Sequence, residues 1–168
     1  RYVGEIGIDG SPPHRDSLEL QKAVFDRILT ECAMLGGRVM TIHSRGAATA
    51  VLDALERQAD AGTPILHWFS GTMKELERAA QLGCWFSVGP AMLRSRRGRE
   101  LAAAMPLDRM LTETDAPFAR DGDSPLMPWQ AYDCLTDLEM ISGIGRSELA
   151  SRIRDNLKQL ASYRAASR

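Results

Sequence analysis

Histidine is scarce in this 168-residue chain, and its three positions are His14, His43 and His67. Two of them close short apolar runs, RVMTIH at 38–43 and PILHW at 64–68. Acids stand in matching places: Glu5 and Asp9 in YVGEIGID, and Asp115 just after the run RMLTE. Imidazole nitrogens beside carboxylate oxygens suit Zn2+, Mn2+ or another first-row divalent ion, whereas an all-oxygen set suits Mg2+. A carboxylate such as Glu5 can bridge two ions. Two ions so held clamp the attacking and leaving oxygens of a phosphate ester and turn water into a usable nucleophile. For a lone strand-end histidine the plainer reading is a hydrogen-bonded structural residue. Glu5 weighs against that reading for the set, because an unpaired carboxylate in an apolar strand costs several kcal/mol to bury. His14 lies in the Pro-rich turn DGSPPHRD and reads as surface.

The elements that must carry these groups alternate. Strand-like runs cover 2–8, 38–43, 64–68, 84–88 and 109–113. Helical patterns fill about 17–35, 46–61, 72–82, 94–104, 128–142 and 147–163. Asp16 is placed to cap the first helix, whose apolar Leu20, Val24, Ile28 and Leu35 have helical spacing, and Gly36-Gly37 stops it. Strand followed by helix, five times, predicts a parallel sheet and an α/β fold. In such sheets ligands gather at the carboxyl ends of the strands. Glu5 and Asp9, His43, His67 and Asp115 occupy those ends on four different strands. Strand alternation puts Val39, Thr41 and His43 on one face, Leu111, Glu113 and Asp115 on one face, and Val3, Glu5, Gly7 and Asp9 on one face opposite Ile6 and Ile8.

Other classes fall away. The chain carries 21 basic and 22 acidic residues, so its whole charge offers no case for a polyanionic partner. No apolar run approaches the roughly 18 residues that span a bilayer. No G-x-G-x-x-G follows the first strand and no P-loop occurs. Cys32, Cys84 and Cys134 are odd in number and widely spaced, which fits reduced, buried cytoplasmic thiols rather than a disulfide framework or zinc knuckle. One local cluster does suit phosphate: MLRSRRGRE sets Arg94, Arg96, Arg97 and Arg99 just after the fourth strand. The alternative for that cluster is a solvated helix face paired with Glu100.

The ordered motifs GEIGID, TIHSRGA, ILHWFSGT, GCWFSVGPAM and LTETDAPF resemble the TatD family of metal-dependent deoxyribonucleases, and RIRDNLKQL with Asn156 resembles its C-terminal helix. The resemblance covers nearly the whole chain. It implies a (β/α)8 TIM barrel with a two-metal site, the ions being Zn, Mn or Mg. In that pattern Glu5 bridges the metals, His43 and His67 hold one ion, and Asp115 holds the other and serves as general base. DNA, as ends or single strands, is the implied substrate, and the arginine cluster the implied contact to it. The HWFSG and FSVGPAML variants are similar to the TatD-like members of Qat anti-phage defence systems, which implies protein partners from such a system and no membrane.

The family opens with a strand bearing His-x-His, and this chain has none. Five strands are visible where a barrel needs eight. The expectation is therefore one domain over 1–168, corresponding to barrel strands 4–8, with about three βα units standing on the N-terminal side. Gly10 stands where an aromatic is usual, Trp68 replaces the Cys of His-Cys-Phe-Ser-Gly, and the segment after Asp115 lacks Arg-x-x-x-Glu-Pro. Two competing readings remain at this level: a metallohydrolase of a small amide, ester or lactone, and a barrel turned into a non-catalytic scaffold subunit of a defence complex.

Overall fold

A computed structural model describes residues 1–162. Five strands, β1 (Tyr2–Gly7), β2 (Arg38–His43), β3 (Gly62–His67), β4 (Trp85–Val88) and β5 (Met110–Thr112), form one parallel sheet in chain order. Each crossover advances by one strand, the connection that curls a sheet toward a barrel, and β1 and β5 are its edges. The crossover helices are α1 (Leu18–Met34), α2 (Ala48–Arg57), α3 (Met73–Gln81), and the pair α4 (Pro90–Leu93) and α5 (Arg96–Ala104). A small antiparallel hairpin, β6 (Arg120–Asp121) with β7 (Ser124–Pro125), follows β5. Helices α6 (Leu135–Ser142) and α7 (Arg146–Ser162) close the described chain.

The sheet separates two apolar layers. Its outer face sends Ile8, Met40, Ile42, Leu66, Phe86 and Val88 against the helices, where all six are essentially buried. Its inner face carries Val39, Ile65 and Trp85, covered by Leu160 of α7 and flanked by Leu111. One step nearer the carboxyl ends, the same inner face carries His43, His67, Ser87 and Glu113. A dry floor of large side chains thus lies beneath a polar layer, as period-two alternation requires.

Several expected boundaries shift for identifiable reasons. Helix α1 begins after a 3-10 turn over Pro12–Ser17 that contains Asp16, so Asp16 does not cap it, and Ser17 at its start makes no side-chain cap bond. The expected 46–61 helix stops at Arg57, and a 3-10 turn over Ala59–Ala61 leads into β3. The 94–104 helix starts at Arg96, because the Ser95 hydroxyl accepts the Gly98 N–H at 2.9 Å and caps it there. The 128–142 helix divides into a 3-10 turn over Pro128–Tyr132 and α6. The end of the expected 147–163 helix lies outside the described residues.

The buried stripe of α1 also differs from expectation. Phe25, Leu29 and Cys32 face the core, while Leu20, Val24 and Leu35 are 67%, 49% and 59% exposed. Both stripes have helical spacing, so periodicity alone did not say which one meets the sheet.

Candidate metal centre

Three strand ends converge on one point. Strand β1 pairs with β2 through Val3–Met40 and Ile6–Ile42, so three residues of β1 answer two of β2. The extra residue is a bulge at Gly4–Glu5, and bulges beside functional sites re-aim side chains. Simple alternation over Val3, Glu5, Gly7 and Asp9 therefore does not hold across the bulge, yet both acids reach the site. Gly7 lets the two strands close up: its φ is 137°, and a Cβ there would lie 2.1 Å from the His43 carbonyl oxygen. At the end of β3, Trp68 has φ of 35°, a left-handed turn that takes the chain away just after His67. The following segment is clamped by Glu75 at the start of α3. Its carboxylate accepts the Thr72 N–H at 2.7 Å and the Thr49 hydroxyl at 2.6 Å, tying the first turns of α3 and α2 together.

The Glu5 Oε1 atom lies 3.0 Å from His67 Nε2 and 3.2 Å from His43 Nδ1, and those two nitrogens are 3.3 Å apart. His67 is buried, His43 partly so, and Glu5 is 45% exposed at the rim. Three lone-pair atoms this close repel one another unless a proton or a cation sits among them. The set suits a first-row divalent ion: metal–ligand bonds of about 2.0–2.2 Å put neighbouring ligand atoms roughly 3 Å apart. Among the described residues, Glu5, His43 and His67 are the group whose donor atoms meet this way.

Further carboxylates stand behind the histidines. Asp9 Oδ2 is 3.1 Å from His43 Nε2, on the ring edge away from Glu5. Glu113 Oε2 and Asp115 Oδ1 approach His67 Nδ1 at 3.7 and 3.8 Å. Asp115 thus joins the cluster from the far edge of His67 and stands outside the three-donor set. It lies beyond the last residue of β5 in a left-handed conformation, φ 57°, so strand parity does not govern it. Burial pushes the Asp115 carboxyl above the ordinary aspartate value, His67 pulls it back, and the Glu5 charge pushes it up again. Burial likewise raises Glu113 against the pull of its Ser87 hydrogen bond and of His67. At Asp9 burial also pushes upward, but hydrogen bonds from Ser11 outweigh it and the carboxyl ends below its ordinary value.

Glu113 had no assigned role in the sequence. Its Oε1 accepts the Trp68 N–H at 2.8 Å and its Oε2 accepts the Ser87 hydroxyl at 2.6 Å. The signal was present: parity placed Glu113 on the inner face, and an acid there raises the same question as Glu5.

A profile of the family described as TatD related DNase matches residues 1–162. The chain belongs to the TatD family. It is 26% identical over 162 residues to a human protein named deoxyribonuclease TATDN3, spanning 94% of this chain and 58% of that protein. It is 31% identical over 170 residues to the 3'-5' ssDNA/RNA exonuclease TatD of Pantoea vagans, spanning 94% and 64%. The crystal structure of YjjV, a TatD homolog from Escherichia coli, superposes with a TM-score of 0.82 at 27% identity over 94% of this chain and 62% of that one. The chain therefore spans about three-fifths of the length of these relatives. The TatD family supplies the fold as well: the five parallel strands and their helices match the α/β barrel of the YjjV structure over the part that this chain covers.

The four arginines of this TatD-family chain do not form one patch. Arg94 donates to the Arg120 carbonyl and lies 3.5 Å from Asp121. Arg99 bridges the Leu93 carbonyl and Asp137, bracing α5 on α6. Arg96 is 91% exposed and pairs with Glu100. Arg97 donates to the Gly71 carbonyl and lines a groove with Lys22, Ser70 and Thr72. Asn156 is buried and structural: its amide donates to the carbonyls of Leu107 and Met110, both at 2.8 Å, and ties α7 to β5. His14 lies in the exposed 3-10 turn, away from this cluster. Cys32, Cys84 and Cys134 are buried free thiols, with Cys84 and Cys134 pushed up to about 12 by burial.

Proposed function

We propose that this chain is the C-terminal five-strand portion of a TatD-type (β/α)8 barrel, and that the whole protein is a deoxyribonuclease hydrolysing phosphodiester bonds with two divalent ions. The observation that carries the reading is the meeting of Glu5, His43 and His67 at 3.0–3.3 Å with Asp115 beside them. The portion assignment is supported by two open sheet edges, by the exposed apolar stripe of α1, and by the three-fifths span of the relatives.

In this reading His43, His67 and Glu5 would hold one ion, and Glu5 and Asp115 would contribute to holding a second together with donors from the N-terminal units. Zn, Mn or Mg ions bound there supply Lewis acidity and make water acidic enough to attack at neutral pH. Asp115, with its carboxyl raised by burial, is the base that takes the proton of the attacking water. Arg96 and Arg97, and to a lesser degree the already engaged Arg94 and Arg99, meet substrate phosphates. A single-stranded or frayed DNA end is the substrate, in keeping with the name of the Pantoea relative. The resemblance of the HWFSG variant to anti-phage defence members supports a role beside such components, and three free thiols are in keeping with a cytoplasmic location. Among the described residues no helix is long and apolar enough to cross a membrane.

The test is cleavage of end-labelled single-stranded DNA by the protein with its N-terminal barrel units, in Mn2+ or Mg2+. Asp115→Asn is expected to lower the rate by a factor on the order of 10^2 or more. Near-normal cleavage by Asp115→Asn would remove its role. Cleavage of small esters or lactones but not DNA would favour the small-substrate reading, and full activity of the 168-residue chain alone would overturn the portion assignment.

A further inference from the structure

We infer that Asp9 is a positioning residue: it fixes His43 in the tautomer that leaves Nδ1 bare toward the ion. The inference rests on the metal-site reading above and deepens it. Asp9 is held from three sides. Its Oδ1 accepts the Ser11 N–H at 2.7 Å, its own N–H donates to Gln21 Oε1 at 2.7 Å, and Gln21 Nε2 donates back to its carbonyl at 3.2 Å. Gln21 belongs to α1, so a helix braces the acid from behind the strand. The remaining oxygen, Oδ2, meets His43 Nε2 at 3.1 Å. Carboxylates only accept, and of the two that approach this ring Asp9 has hydrogen-bond geometry while Glu5 Oε1 stands at Nδ1 as a close contact only, so the imidazole hydrogen is assigned to Nε2, donating to Asp9. Nδ1 then presents its lone pair toward Glu5 Oε1 and His67 Nε2, 3.2 and 3.3 Å away. A carboxylate on the rear nitrogen fixes both the tautomer and the ring orientation of a ligating histidine.

The bracing makes two substitutions behave differently. In Asp9→Asn the Ser11 N–H keeps the side-chain oxygen, so the amide hydrogens turn toward His43. Nε2 must then accept, the proton moves to Nδ1, and it points into the metal site. Asp9→Ala leaves the imidazole free to choose, with water behind it. The charge lost is the same in both variants, so charge alone predicts equal effects, and a purely structural role predicts that Ala is the worse.

The experiment titrates Zn2+ or Mn2+, without nucleic acid, into the protein bearing its N-terminal units, and reads the His43 tautomer in the metal-free state from long-range 1H–15N correlations. Asp9→Asn is expected to bind the ion about 10–100-fold more weakly, with the proton on Nδ1 of His43. Asp9→Ala is expected to lose less, with mixed tautomers. Wild-type affinity in Asp9→Asn, an unchanged His43 tautomer, or a larger loss in Asp9→Ala would overturn the inference. Asp9-dependent metal binding by a protein that leaves DNA intact supports the inference while rejecting the nuclease reading. A wild-type protein that takes up neither ion sinks both.

Discussion

Glu113 offers a test in which the chemistry of one atom separates two explanations. It joins β5 to the ends of β3 and β4 through the Trp68 N–H at 2.8 Å and the Ser87 hydroxyl at 2.6 Å. Trp68 stands in a left-handed conformation, φ 35°, which costs a bulky residue on the order of 1–3 kcal/mol unless its surroundings hold it. Glu113→Leu removes both acceptors. Each buried donor left without a partner costs about 1–3 kcal/mol, so two orphaned donors cost about 2–6 kcal/mol. Burial raises the Glu113 carboxyl, so its charge is itself unfavourable here, and losing it offsets part of that sum. A net loss of about 2–4 kcal/mol follows.

Glu113→Gln behaves differently. The amide oxygen still takes the Trp68 N–H, and the Ser87 hydroxyl rotates to accept from the amide nitrogen. Both bonds survive in altered polarity, and the loss is expected to stay below about 1 kcal/mol. Urea denaturation of the metal-free protein gives the stabilities, and Zn2+ titration shows whether His67 keeps its aim. The expected order is wild type near Gln, with Leu well below in stability and weaker in metal affinity. Equal losses from Gln and Leu would mean that the charge itself is needed, as for a ligand or a proton carrier, and would refute the anchoring role. No loss in Leu would refute it as well.

The pH response of the metal-free protein carries the signature of Asp115. An acid whose folded value lies above its ordinary 3.8 binds protons more tightly folded than unfolded, so its contribution to stability falls as pH rises from there through the folded value and stays reduced above it. Asp115→Asn should therefore melt higher than wild type at pH 7 without metal, the gap closing as pH falls below 3.8; a lower-melting variant contradicts the sign. Replacing Arg96 and Arg97 with Ala should flatten the salt dependence of single-strand binding by about 0.7 per lost phosphate contact on the log–log slope. An unchanged slope would leave both arginines as a solvated face.

The order of strands and helices was legible because hydrophobic runs, glycine stops and helix spacing are local signals. His43 and His67 were legible for the same reason: each closes an apolar run, and a parallel sheet brings such ends together. What stayed hidden depended on geometry between strands. The bulge at Gly4–Glu5 breaks parity in β1, and no count along YVGEIGID marks the residue where the register slips. The two stripes of α1 are equally periodic, so the choice of Phe25, Leu29 and Cys32 over Leu20 and Val24 waits on which side the sheet lies. The engagement of Arg99 was hidden for the same reason, since its partner Asp137, 2.7 Å away, comes from α6.

The acids divide in a way that types and spacing do not announce. Glu5 lies within β1, and Asp9, Glu113 and Asp115 follow strands, yet the four meet the two imidazoles from different edges. Glu5 faces His43 Nδ1 and His67 Nε2, the inward pair. Asp9 takes the outward nitrogen of His43, and Glu113 with Asp115 stands at the outward nitrogen of His67. An acid on the inward edge competes for the same point as the ring nitrogens and makes sense when a cation occupies it. An acid hydrogen-bonded to the outward nitrogen, as Asp9 is to His43, acts as an acceptor and decides which nitrogen is left bare. Of the two histidines, His43 has the bonded acceptor at 3.1 Å, whereas the nearest acids to His67 Nδ1 stand off at 3.7 and 3.8 Å. His43 is therefore fixed through its ring and His67 through the backbone turn behind it, and substitutions at Asp9 and Glu113 should weaken the same metal site by separate routes.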